Sequence, residues 1–292
     1  MNKKLIFDNS ALIVAHPDDE ILWFSSILEN VSKIIIVFKG TDNKEVLFGR
    51  NNILNSKILP YANKITCLEI EESNVLNNSN WKMPKPTIYG MKTSSIKYKE
   101  NYSEIKKKLS KSLVGFKNVI THNPWGEYGH EEHVQVFRAT LSLLSELNFS
   151  IWVPGYFSER TFGMMSLFKE FISKNFVNKN INQQFCQNIK SIYTDNGAWT
   201  WSDDYNWPQV ETFYEVDKNS KNSGINFTKT PHVWNQMNYI QMFKIHLTHF
   251  SKIRSKAIQF VQLLFPKILF DILIKKYKKI KSKQTRANYK SK

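Results

Sequence analysis

The chain has little of what builds cross-linked, fibrous or membrane-spanning proteins. Two cysteines, Cys67 and Cys186, in 292 residues cannot staple a disulfide framework or fill a cysteine-rich zinc site, and a reducing compartment is the simpler expectation. Ten glycines and nine prolines exclude collagen-like and low-complexity organisation. No run reaches the ~18–20 consecutive apolar residues that a spanning helix needs. The start, Met1-Asn2-Lys3-Lys4, faintly resembles a signal n-region, but Asp8-Asn9-Ser10 breaks the apolar run that should follow. A cytoplasmic protein that keeps its N-terminus is expected. Core material is ample: 41% of residues are hydrophobic, 23% are charged, and there are 20 Phe, 12 Tyr and 8 Trp. That is the balance of a globular chain with one large domain or two modest ones.

Acidic residues are scarce at one end. The formal charge is +16, but residues 252–292 hold 13 Lys and Arg against a single acid, Asp271. Their net of +12 leaves +4 for the other 251 residues. A nucleic-acid binder needs basic residues across its body and a recognition motif; neither is present, so no nucleic-acid partner is expected. The C-terminal segment instead mixes Ile, Phe, Leu and Val with Lys and Arg, interrupted by Pro266. A basic amphipathic helical tail of this kind is expected to contact an anionic membrane peripherally, at the inner membrane surface. The alternative is an ordinary packed C-terminal helix with a Lys-rich end. The expected division is one domain over 1–250, with its motif-bearing core at about 1–155, and a tail over 251–292.

The first half alternates strands and helices. Residues 11–15 form a continuous apolar run, and 33–39 contain another, Ile34-Ile35-Ile36-Val37-Phe38, of the kind that strands buried on both faces require. Further strands are expected at 64–70, 118–121 and 151–154, and helices at 19–30, 45–59, 102–113 and 131–147. Residues 73–95 read as a long loop, and 160–250 have mixed periodicity. Such alternation predicts an α/β fold: a Rossmann-like, mostly parallel sheet with helices on both faces. Ligands of such sheets sit beyond the carboxyl ends of the strands.

Two polar clusters fall at such ends. After the first strand comes His16-Pro17-Asp18-Asp19-Glu20; after the fourth comes His122-Asn123-Pro124-Trp125-Gly126-Glu127-Tyr128-Gly129-His130-Glu131-Glu132-His133. Histidine nitrogen and carboxylate oxygen suit zinc. A helix cap explains the first cluster without a metal, with Asp18 or Asp19 capping and Glu20 favouring the dipole. A solvated first turn explains the second. Two His/acid clusters converging on one crevice argue more strongly for a metal than either does alone.

His-Pro-Asp-Asp-Glu near the N-terminus, with Gly-His-x-x-His about a hundred residues later, resembles the PIG-L/LmbE-like family of zinc-dependent N-acetylglucosaminyl deacetylases. The resemblance covers residues 11–20 and 121–138 on a strand–helix pattern running to about 155. It implies that His16, Asp19 and His133 bind Zn2+, that Asp18 is the general base and that His130 assists at the developing oxyanion. Arg50 falls where the family often has a substrate-binding arginine. Three protein ligands leave zinc an open position, and zinc lowers the pKa of water from 15.7 towards ~7. The amine leaving group can take its proton from Asp18 or His130. Two histidines and a carboxylate also describe a non-haem iron(II) centre, so Fe2+ stays open; a base beside the ligand favours hydrolysis.

Trp125, Trp199, Trp201, Tyr205 and Trp207 are candidates for stacking on a sugar ring, Trp125 foremost because it lies inside the second motif. Core packing is the ordinary role of each. Cys67 is expected to be inert in a buried strand. His232, His246 and His249 match no ligand pattern. The expected activity is hydrolysis of the N-acetyl group of an amino sugar, lipid-linked or nucleotide-linked. The runner-up is a non-catalytic carbohydrate-binding or scaffold protein on the same fold. The sequence leaves the acceptor and the oligomeric state open.

Overall fold

The structure, a computed structural model, describes residues 6–217 and 235–237. Of the two units into which the chain divides, Met1–Tyr239 and Ile240–Lys292, the second lies outside the described residues. So do the basic tail, His232, His246 and His249. No helix among the described residues is long and apolar enough to cross a membrane.

Strands β1 (Ser10–Val14), β2 (Lys33–Gly40) and β3 (Ile65–Glu71) come first. A small hairpin follows, β4 (Pro86–Thr87) and β5 (Gly90–Met91), then β6 (Asn118–Thr121), β7 (Ser150–Pro154) and β8 (Tyr156–Ser158). The last are β9 (Ile172–Asn180), β10 (Val210–Val216) and β11 (Asn235–Met237). The main sheet has the order β3-β2-β1-β6-β7-β10-β9. Its first five strands are parallel, and β10 and β9 add antiparallel pairs at one end. The expected mostly parallel α/β sheet is therefore observed.

The chain runs outward from β1 to β2 and β3, then returns to lay β6 against the other side of β1. The order reverses between β1 and β6, and ligands of such sheets sit at the carboxyl ends of the strands beside that reversal. Both polar clusters emerge there. The strand pleat explains why β1 must be apolar throughout. Ala11 and Ile13 join one core with Ile105, Val134 and Phe137, while Leu12 and Val14 join the other with Ile21, Ile53 and Ile189. Helices α3 (Ile96–Ser112) and α4 (Glu131–Ser142) cover the first face; α1 (Asp19–Trp23), α2 (Lys44–Ser56) and α7 (Gln183–Asp195) cover the second.

Several boundaries differ from expectation. The helix expected over 19–30 stops at Trp23, and a 3-10 turn occupies Ser25–Ile27. Phe24 leaves the helical region with φ −140°, and the next two residues have a stronger partner. The buried Glu211 carboxylate accepts the backbone N–H and hydroxyl groups of both Ser25 and Ser26, and also the Tyr156 hydroxyl. The helix expected over 131–147 breaks at Leu143 into α4 and α5 (Leu144–Leu147). Helix α3 starts earlier than expected, at a cap where Ser95 accepts the Tyr98 N–H. Cys67 is half-buried, because β3 is an edge strand and not an interior one. The region of mixed periodicity supplies β8 to β11, α6 (Phe162–Phe168) and α7.

Glu211→Gln keeps the side-chain shape but turns one acceptor into a donor facing donors. We expect a loss of about 2 kcal/mol, a fall in Tm of ~4–8 °C for a domain of this size. An unchanged melting curve would mean that the Ser25–Ser26 turn is held by packing alone.

Candidate metal centre

The turn after β1 is strained and doubly held. Asp18 adopts φ 102°, a conformation that costs a non-glycine residue about 1–3 kcal/mol. Its N–H donates to Glu20 Oε2 at 3.0 Å, and Glu20 is fixed by the hydroxyls of Tyr61 and Tyr193. The turn after β6 is held by Asn123, whose Oδ1 accepts the N–H groups of Trp125 and Glu127. Gly126 must be glycine, because φ is +66° and a Cβ would lie 2.5 Å from the His130 carbonyl oxygen. The two strand ends are stitched together where the Ala15 N–H donates to His122 Nε2 at 2.8 Å.

Potential ligand atoms within 4.8 Å of one another form three overlapping groups: His16, His130 and His133; Asp19, His122 and His133; His16, Glu72 and Glu132. Hydrogen-bond accounting separates the free lone pairs from the committed ones. His122 accepts at Nε2, so its proton is on Nδ1, which meets Glu127 Oε2 at 2.9 Å. His130 caps α4, its Nδ1 accepting the Glu132 N–H at 3.1 Å, so its proton is on Nε2. Neither histidine has a bare nitrogen left as a neutral ring. His133 places Nδ1 2.7 Å from the same Glu127 oxygen, and His16 places Nε2 3.0 Å from Glu132 Oε2. In the neutral tautomers that keep the ring protons on the nitrogens facing those carboxylates, His16 Nδ1 and His133 Nε2 are the bare nitrogens.

Both bare nitrogens face one atom. Asp19 Oδ2 lies 3.1 Å from His16 Nδ1 and 3.2 Å from His133 Nε2, while Trp23 Nε1 donates to Oδ1 at 3.0 Å. The His133 approach does not align as a hydrogen bond, and its buried Nε2 has no hydrogen-bond partner. A metal ion or ring protons between the nitrogens and the carboxylate would satisfy this convergence. Without a metal, protons serve. Burial opposes charging His133, but Asp19 and Glu127 outweigh it and raise its pKa to about 9; His16 is raised likewise by Asp19 and Glu132. Burial would raise Asp19, but His133 and His16 hold it well below the usual carboxylate range. The residues also fit a metal. Ligand atoms ~2.0–2.1 Å from a tetrahedral zinc lie roughly 3.3 Å apart, close to the 3.1 and 3.2 Å that separate Asp19 Oδ2 from the two nitrogens, although His16, Asp19 and His133 together are not one of the three groups whose ligand atoms all meet within 4.8 Å.

The neighbours differ in character. Burial, reinforced by Asp19 and Glu20 and opposed by Arg50, pushes Asp18 up to about 7. His130 is held neutral by burial and by nearby His133 and His16, so that its pKa falls well below the ordinary value. Its ring stacks on His133 with centroids 4.6 Å apart. Arg50 joins the group, with Nη2 3.8 Å from Asp18 Oδ2 and Nη1 donating to Glu72 at 3.0 Å.

Trp125 corrects the sequence reading. It is 1% exposed, packs in the α3/α4 core and donates Nε1 to the Tyr156 carbonyl at 2.8 Å; no face is left for a sugar. The aromatic of this motif beside the histidines is Tyr128, which meets His130, His133, Trp23 and Trp201 edge-on or tilted. Trp207 is buried on α1, Trp201 and Tyr205 are half-buried against Trp23, and the half-buried Trp199 packs on Tyr205 and Trp207. The sequence reading also missed Glu127 and Glu132, although both stand in the quoted motif within reach of a histidine.

The fold is similar to that of the teicoplanin deacetylase Orf2 in its zinc-inhibited form, with TM-score 0.50, 14% identity, and coverage of 71% of this chain and 98% of that one. The A40926 pseudoaglycone deacetylase Dbv21 aligns at TM-score 0.46 and 11% identity, over 71% of this chain and 96% of that one. An uncharacterized protein of Acanthamoeba polyphaga mimivirus is 29% identical over 151 residues, 47% of this chain and 56% of that protein. The chain thus spans about half the length of the curated relative it matches. No family model matches the chain.

Glu127→Gln removes the charge that holds the His133 proton on Nδ1. Metal affinity should fall ~10–100-fold, read by competition with a chelator; unchanged affinity would remove Glu127 from the centre.

Proposed function

We propose that this chain is a metal-dependent amide hydrolase related to the PIG-L/LmbE-like deacetylases, removing the acetyl group of an N-acetylated amino sugar. The observation that supports it most is the meeting of His16 Nδ1 and His133 Nε2 at Asp19 Oδ2, with a second carboxylate, Asp18, next in the chain. His16, Asp19 and His133 would hold the ion, Zn2+ by ligand type and Fe2+ as the alternative. When bound, it supplies Lewis acidity, which makes water nucleophilic at neutral pH.

The chain's own groups do the rest. Asp18 takes the proton of the attacking water as general base and returns it to the departing amine. His130, neutral and protonated on Nε2, donates to the carbonyl oxygen as negative charge develops there. Arg50 orients substrate hydroxyls beside Asp18. Tyr128 and Trp201, half-buried near the histidines, form an aromatic wall suited to a sugar ring. The basic segment 252–292 is proposed to hold the enzyme at an anionic membrane surface, which suits a lipid-linked acceptor.

Acetate release from a panel of N-acetylhexosamine conjugates tests the activity. His16→Ala, Asp19→Ala and His133→Ala should each lose bound metal by elemental analysis. Asp18→Asn should retain metal and lose ~10²–10⁴ in turnover. Full metal content in all three ligand variants, or normal turnover in Asp18→Asn, would contradict these roles. For the tail, full-length protein should co-sediment with anionic vesicles in a salt-sensitive way. Equal sedimentation of a chain ending near Ser251 would remove the tail from the account.

A further inference from the structure

Asp18 is touched by a residue from far along the chain that belongs to neither motif. The segment between α7 and β10 brings Thr200, 182 positions away, against it, and the Thr200 hydroxyl donates to Asp18 Oδ2 at 3.0 Å. Arg50 Nη2 faces that same oxygen at 3.8 Å. No described residue hydrogen-bonds the other oxygen, Oδ1. The two oxygens therefore have different environments: one is tethered, the other is left for a substrate water.

The tether is itself anchored. The Tyr193 carbonyl accepts the N–H groups of Ala198 and Trp199, just before Thr200. The hydroxyl of the same tyrosine donates to Glu20, whose other oxygen accepts the Asp18 N–H. Tyr193 thus secures both the strained backbone of Asp18 and the loop that grips its side chain. Beyond Thr200, Trp201 packs edge-on against Trp23, with ring centroids 5.1 Å apart. Tyr205 donates to the Leu22 carbonyl and Trp207 to that of Ile21, pinning the loop to α1. A loop held at so many points is a rigid support, of the kind that keeps a reacting group within the tolerance catalysis needs.

We infer that Thr200 is a positioning residue, holding Asp18 Oδ2 so that Oδ1 faces the cleft as the proton acceptor. The inference rests on the proposed deacetylase reading. A carboxylate free to rotate presents the wrong oxygen, or the wrong lone pair, for part of the time. The loss then falls on the proton-transfer step and not on substrate binding.

The test is a double-mutant cycle on the full-length, metal-loaded chain, with N-acetylglucosamine, its 1-phosphate and its aryl glycosides as probes. Thr200→Val should lower kcat about 10–100-fold, with KM within about twofold and bound metal unchanged. Thr200→Ser, which restores the hydroxyl, should recover most of the rate. In the Asp18→Asn background, Thr200→Val should cause no further loss, because the group it positions is already disabled. Should Thr200→Val fail to fold, Thr200→Ala removes the hydroxyl without adding bulk, and the same cycle applies. Equal kcat in wild type and Thr200→Val, a rise confined to KM, or losses that multiply with Asp18→Asn would overturn the role of Thr200 while leaving the deacetylase reading intact. No acetate from the metal-loaded wild type on any probe would overturn both.

Discussion

One carboxylate oxygen organises the centre. Asp19 Oδ2 lies 3.1–3.2 Å from two imidazole nitrogens whose protons are drawn to their far sides. Lone pairs at that distance repel unless a proton or a metal ion stands between them. The surrounding chemistry follows from that constraint. Glu132 and Glu127 behind the two histidines keep the ring protons away from the meeting point. Trp23 takes up the other oxygen of Asp19, so that only Oδ2 is left facing the rings. His122 and His130, which lie close enough to compete, have their lone pairs committed to backbone N–H groups.

The sheet explains how two segments more than a hundred residues apart come to share that oxygen. The chain adds β2 and β3 on one side of β1 and then places β6 on the other. The turns leaving β1 and β6 are therefore neighbours. Packing on both sheet faces keeps the strand ends in register, and the Ala15–His122 hydrogen bond joins them directly. The residues after β7 then close the site from a different direction. Glu211 secures the turn beyond α1, and the loop before β10 brings Thr200 and Trp201 to the rim.

Much of the framework was legible in the sequence. Residues 11–15 and 34–38 had to be buried on both faces because no polar residue interrupts them, and together with the strand–helix alternation they implied a covered parallel sheet. The two clusters could be located because each follows such a run. Arg50 was found through resemblance, and it does reach Asp18. A tryptophan inside a polar motif looks available, but the turn inserts Trp125 into the core, and the half-buried Tyr128 stands beside the histidines instead. The helix over 19–30 was overextended because nothing local announces Phe24 as a stop. The cause, Glu211, lies some 185 residues away. The partner of Thr200 was unreadable for the same reason, because it is set by tertiary structure and not by spacing.

Anomalous diffraction at the zinc edge, from crystals of the metal-loaded chain, tests the central claim most directly. A single peak is predicted at coordination distance from His16 Nδ1, His133 Nε2 and the Asp19 carboxylate, with His122 and His130 outside the coordination shell. A peak held instead by His122 or His130, or no peak among these residues, would contradict it.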